Sequence, residues 1–227
     1  TGDWLKLANQ KILQCRKIKK IPILVGGTGL YFKALTEGLV NIPKIPINFR
    51  NEVRSLHKRI GQKKFFLKLI EIDPLIENRI NSLDVQRSLR AYEIKSFTKK
   101  SMISWFKNTK SDYSHNDFFK IYIDFPRKDL IERINKRSEN MIKLGAILEV
   151  KKFIKLRVPK NKSLSKAIGI SEIKQYLQKK IQTEQLIEKI SIKTRQYAKR
   201  QSTWARGHMK DWNKVNLEGL DKLLKKI

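Results

Sequence analysis

Three glycines bracket one threonine in Gly26-Gly27-Thr28-Gly29. The apolar run Ile21-Pro-Ile-Leu-Val25 precedes them, and Leu30-Tyr-Phe-Lys-Ala-Leu35 follows directly. A turn of this kind at the head of a helix presents backbone N–H groups that can hold an anion or a ligand oxygen. Thr28 then either caps the helix or offers its hydroxyl to a ligand. A second reading stays open beside this one: the glycines serve only to let the chain turn tightly from strand to helix. The spacing matches neither the G-x-G-x-x-G of dinucleotide sites nor the G-x-x-x-x-G-K-[ST] of a P-loop. No Gly-Lys-Ser/Thr triplet occurs anywhere in the chain.

Three other segments gather cations at helical spacing. In Asp84-Val-Gln-Arg-Ser-Leu-Arg90, Asp84 suits an N-cap, and Gln86, Arg87 and Arg90 can share one face. In the segment from Thr194 to Arg206, residues Arg195, Lys199, Ser202 and Arg206 step by four, three and four. Three cations in one line suit a phosphate backbone. The neighbouring face carries Ile190, Thr194, Tyr197, Gln201 and Trp204, and both aromatics are expected in the core rather than stacked on bases. Arg133 and Arg137, four apart, either clamp a pyrophosphate or pair with Glu132 and Glu139. A solvated helix face is the competing reading for an isolated basic pair.

The elements that must position these residues follow from periodicity. Residues 4–18 are expected to form a helix, 21–25 a buried parallel strand, and 28–37 a helix closed by Gly38. Pro43 and Pro46 then break the pattern. Between about 47 and 110 only helical periodicity remains, strongest in 49–60, 63–70, 73–80 and 84–97. An alternating strand signal covers 118–125 and stops at Pro126, and a helix over 129–144 follows. Further helices run to about 206, with 158–166 the expected mobile loop. The economical arrangement is an α/β core, residues 1–46 and 111–227, interrupted by a helical insertion at 47–110 and covered by a helical C-terminal layer.

Composition narrows the partner. The 227 residues carry 51 Lys and Arg against 21 Asp and Glu, a formal net charge of +30. Lysine-rich usage accounts for some of this excess, but a field so strong favours a polyanion. A membrane is not expected, because no apolar run approaches the roughly 20 residues a span needs. The single cysteine, Cys15, excludes an internal disulfide framework and fits a reduced cytoplasmic compartment. His57, His115 and His208 show no ligand spacing, so no metal cluster is expected.

In this order the segments resemble the tRNA dimethylallyltransferase family. The matches are Ile23–Leu35, Asp-x-Gln-Arg-x-x-Arg-Ala-x-Glu at 84–93, Glu-Arg-Ile-x-x-Arg at 132–137, Ala-Ile-Gly at 167–169, and Thr-Arg-Gln-Tyr-Ala-Lys-Arg-Gln-x-Thr-Trp-x-Arg at 194–206. The resemblance implies a P-loop NTPase-like, kinase-related core with an all-helical insertion. It also implies transfer of a dimethylallyl group from dimethylallyl diphosphate to the N6 amine of the adenosine 3′-adjacent to the tRNA anticodon, with Mg²⁺ and an extruded adenine. It implies tRNA contacts at Thr28, Arg50, Gln86, Arg87, Ser88, Leu89 and Arg90, and in the segment Lys166, Ala167, Ile168, Gly169, Ile170 and Ser171. The last implied contact segment is Lys199, Arg200, Gln201, Ser202, Thr203, Trp204, Ala205 and Arg206. It implies diphosphate binding by Arg137 or Arg133, and a monomer is expected. The family's P-loop and catalytic aspartate fall upstream of Thr1, so an N-terminally truncated member with an incomplete core, inactive alone, is the expectation. Val85, Ile170-Ser171 and Ala205 depart from the family pattern. The alternative is a non-catalytic basic RNA-binding protein.

Overall fold

The computed structural model describes residues 1–159 and 162–225. The protein is a mostly helical α/β chain with one small parallel sheet. Contacts divide it into two compact units, residues 1–24 with 30–118, and residues 25–29 with 119–227.

In the first unit, α1 (Gly2–Lys17) buries Ala8 and Ile12, and α2 (Gly29–Thr36) buries Ala34 and Leu35. Trp4 stacks on Tyr31 with centroids 4.6 Å apart. Gly38 follows α2 with φ +94°. A side chain there would strain the backbone, and its Cβ would meet the Lys110 carbonyl oxygen at 2.1 Å. The two helices expected over 49–70 form α3 (Ile47–Ile72), which is broken at Gly61 (φ 76°, ψ 166°). The helix expected over 73–80 is not formed. Pro74 disfavours helical geometry at the residue before it, and Asp73 takes φ −143°. The chain makes only a 3-10 turn at Pro74–Ile76, which still buries Ile76 and Ile80. α4 (Val85–Thr98) begins as expected, with Asp84 accepting from the Arg87 N–H. α5 (Met102–Lys107) follows. Ile45, Phe66, Leu69, Ile76, Ile80, Ala91, Ile94 and Met102 form one core.

The second unit holds α6 (Arg127–Lys143), α7 (Ala146–Lys155), α8 (Ile170–Leu177), α9 (Thr183–His208) and α10 (Leu217–Leu224). Its core is Ala146, Val150, Ile170, Ile173, Leu186 and Ile190. The strand expected over 118–125 is shorter, β1 (Ile121–Ile123). It pairs in parallel with β2 (Asn213–Val215), a strand the periodicity did not announce, in the register Ile121 to Asn213. The loop expected at 158–166 includes 160 and 161, which lie outside the described residues; its later part forms a 3-10 turn at Leu164–Lys166.

The strand expected at 21–25 is absent. Ile21, Ile23 and Val25 are 80%, 82% and 92% exposed. A buried strand needs a hydrogen-bonding neighbour and cover on both faces. Among the described residues the sole ladder is β1–β2, which does not include this run.

Candidate functional site

The glycine turn has a clear local cause in the second unit. Gln201 of α9 donates from Nε2 to the Gly27 carbonyl at 2.8 Å. A Cβ on Gly27 would stand 2.2 Å from that same nitrogen, and one on Gly29 would stand 2.1 Å from Cε3 of Trp204. Neither glycine has a positive φ. Gly29 is therefore demanded by the close approach of Trp204, while Gly27 faces only the movable end of Gln201; neither is demanded by backbone conformation. The N–H groups of Gly26, Gly27, Thr28 and Gly29 donate to no described backbone carbonyl outside regular structure, and Thr28 is exposed. α9 holds the turn through its carbonyl and leaves the threonine hydroxyl and these amides open to a ligand. The reading of the glycines as a tight strand-to-helix turn does not hold, since the strand is absent and neither Gly27 nor Gly29 takes a positive φ.

Of the row expected on α9, Lys199 and Arg206 are exposed, while Arg195 and Ser202 are half-buried. Beside them, Arg200 and Thr203 are exposed, Gln201 and Trp204 half-buried, and Ala205 buried. Trp204 stacks on His208 with centroids 4.3 Å apart. Tyr197 departs from the expected core position: it is exposed and carries the Arg200 guanidinium 5.7 Å from its ring centre. The core of α9 lies nearer its N-terminal half, at Leu186, Ile190 and Ser191, so Tyr197 is left outside. Lys214 is held protonated above its ordinary range, first by its hydrogen bond to Asp124; the neighbouring Arg206 charge opposes this. A further cation thus sits beside the end of the row.

The segment before α8 is pinned from within. Lys166, Ala167, Ile168 and Ser171 are exposed, while Gly169 and Ile170 are buried. Gly169 takes φ +102°. Its N–H donates to Glu172 Oε2 at 3.0 Å, and the other oxygen of this buried carboxylate receives Lys193 Nζ from α9. Sequence reading missed Glu172. Its place three residues after Gly169, the spacing of a capping box, was the available signal.

On α6, Arg133 and Arg137 are exposed, and neither pairs with Glu132 or Glu139. With Lys136, Asn140, Met141 and Leu144 they line an open groove of about 420 Å³. Arg133 also lies 4.9 Å from the Phe125 ring centre.

In the first unit, Gln86 and Arg87 are exposed, Leu89 half-buried, and Ser88 buried, its hydroxyl donating to the Asp84 carbonyl at 2.7 Å. Arg87 pairs with Asp84 at 2.6 Å. Arg90 and Arg50 both reach the buried Glu93, which sequence reading quoted but gave no role. No group of three His, Cys, Asp or Glu side chains comes together among the described residues. None of the described helices is long and apolar enough to cross a membrane.

The family description IPP transferase matches residues 1–208. The chain is 54% identical over all 227 residues to a tRNA dimethylallyltransferase of Pelagibacter ubique, spanning 72% of that relative. It is 40% identical over 216 residues, 95% of its own length, to the tRNA dimethylallyltransferase of Rickettsia massiliae, and spans 59% of it. The structure of a tRNA isopentenylpyrophosphate transferase from Staphylococcus epidermidis superposes with a TM-score of 0.59 at 27% identity, covering 99% of this chain and 75% of that one. On the match over most of its length, and on relatives this similar, the chain belongs to the IPP transferase family.

Proposed function

We propose that this chain serves in transferring a dimethylallyl group from dimethylallyl diphosphate to the N6 amine of the adenosine 3′-adjacent to the anticodon of tRNA. The names of its relatives favour this over a non-catalytic RNA binder. The observation that carries it is Thr28, exposed on a turn that α9 holds from the other side.

Thr28 lies on the path of the extruded adenosine, which must leave its stack before its amine can react. Lys199, Arg200, Thr203 and Arg206 on α9, with Lys166, Ala167, Ile168 and Ser171, meet the RNA directly, and Arg50, Gln86, Arg87 and Arg90 supply further contacts. Ser88, Gly169, Ile170 and Ala205 are buried, so their part is to hold the contacting segments in place. Leu89, Gln201, Ser202 and Trp204 sit between the two groups. Arg137, with Arg133, faces the diphosphate, where two guanidiniums offset the charge of the leaving group. The α/β portion belongs to a P-loop kinase-related core. Mg²⁺ is the family's ion, but no acidic cluster among the described residues fits it.

Binding of a tRNA anticodon stem-loop, followed by gel shift across a salt series, tests this reading. Phosphate contacts by several of these cations should make log K fall steeply with log salt, by about 0.7 to 0.9 per contact. A flat dependence would refute it.

A further inference from the structure

Glu93 lies three residues beyond Arg90 on α4 and is 2% exposed. A carboxylate so deep is costly unless its charge is met. A single oxygen of it, Oε2, accepts from Arg50 Nε at 3.2 Å and from Arg90 Nη1 at 3.3 Å. Arg50 comes from the first turn of α3, 43 residues away in the chain.

The side chains of the two arginines remain 36% and 42% exposed. Arg50 binds Glu93 through Nε, which leaves both of its Nη groups for other acceptors. Arg90 binds through Nη1, which leaves Nε and Nη2. Three charged groups meet here with a net charge of one positive, their open donors on the guanidiniums.

A strut between α3 and α4 is not enough to explain the cluster. The two helices already share an apolar core in which Phe66 and Leu69 join Ala91 and Ile94, and the Phe65 and Tyr92 rings lie 5.0 Å apart. Buried ion pairs seldom outdo apolar packing of the same volume in stability. What the carboxylate adds is geometry. It brings together two planar cations that would otherwise repel each other, and a guanidinium suits the paired oxygens of a phosphate.

We propose that Glu93 is a positioning residue that sets Arg50 and Arg90 side by side as one grip on an RNA phosphate, a role that rests on the RNA-binding reading above. Glu93 itself touches no nucleotide.

The test compares the wild-type chain, E93Q and R90K for binding to a tRNA anticodon stem-loop transcript across a salt series. E93Q removes a buried negative charge from beneath the arginines the RNA would approach, so electrostatics alone predicts tighter binding. Positioning predicts the opposite sign: affinity about tenfold weaker, the worth of one charge-assisted hydrogen bond, and a salt slope shallower by about one phosphate contact. R90K keeps the charge but loses the planar fork, and should weaken binding in the same direction. An E93Q protein that binds as tightly as wild type, or more tightly, overturns the positioning role and leaves the RNA reading intact. If far-UV circular dichroism shows E93Q unfolded, R90K decides, and wild-type affinity in R90K overturns the proposal. Failure of the wild-type chain to bind the stem-loop overturns the reading beneath it instead.

Discussion

A methyl group at Gly29 would collide with the indole of Trp204, while one at Gly27 would meet the amide end of Gln201. The obstacles differ in stiffness. At Gly29 the obstacle is the rigid ring of a half-buried indole, whereas at Gly27 it is a glutamine amide that can rotate at the loss of one hydrogen bond. We therefore expect G29A to destabilise the protein by about 1–3 kcal/mol, in the range of overpacking, and G27A by less. Thermal unfolding of the two variants checks this, and an equal or reversed order would show that α9 does not seat against the turn as described. Thr28, between them, is exposed.

Gly61 separates the two halves of α3 with φ 76° and ψ 166°, a region almost closed to residues with a side chain. A Cβ there meets nothing within 4 Å. The cost of G61A is thus purely conformational, expected at about 1–3 kcal/mol, and a melting temperature equal to wild type would refute it. The break lets the first half of α3 carry Arg50 while the second half packs Phe65, Phe66 and Leu69 into the core. Pro74 acts in the same way at the far end, where it turns an expected helix into a single 3-10 turn. α9 shows the complementary case. Its 26 residues run unbroken, so the N-terminal half can build a core at Leu186 and Ile190 while the C-terminal half presents Lys199 and Arg206.

Each of the two units has a core of its own, one built around Phe66, Leu69 and Ile94, the other around Ile173, Leu186 and Ile190. Cooperative all-or-none unfolding is the habit of a single core. We expect two transitions: a W4F/W105F protein, whose fluorescence reports only Trp204 and Trp212, should melt at a midpoint different from that of far-UV circular dichroism. Coincident curves would show that the cores unfold as one. The net charge of +30 acts over the entire chain, favouring polyanion binding and opposing compaction by self-repulsion. Added salt should therefore weaken RNA binding while raising the melting temperature.

Local patterns were enough to place α1, α2, α4 and α6, because helical periodicity and caps such as Asp84 and Gly38 act within a few residues of chain. They were also enough for the exposed Lys199 and Arg206 of α9 and the motif order that revealed the family. β2 was not legible, since three residues with no alternation become a strand only when β1 lies beside them. The apolar run 21–25 failed in the opposite sense: its composition suits a strand, but a strand exists only through its neighbours. Tyr197 looked like a core residue by spacing, and packing left it outside. The meeting of Arg50 with Glu93, and of Gln201 with Gly27, joins residues 43 and 174 positions apart. Nothing along the chain encodes such distances locally; they are set by how helices pack.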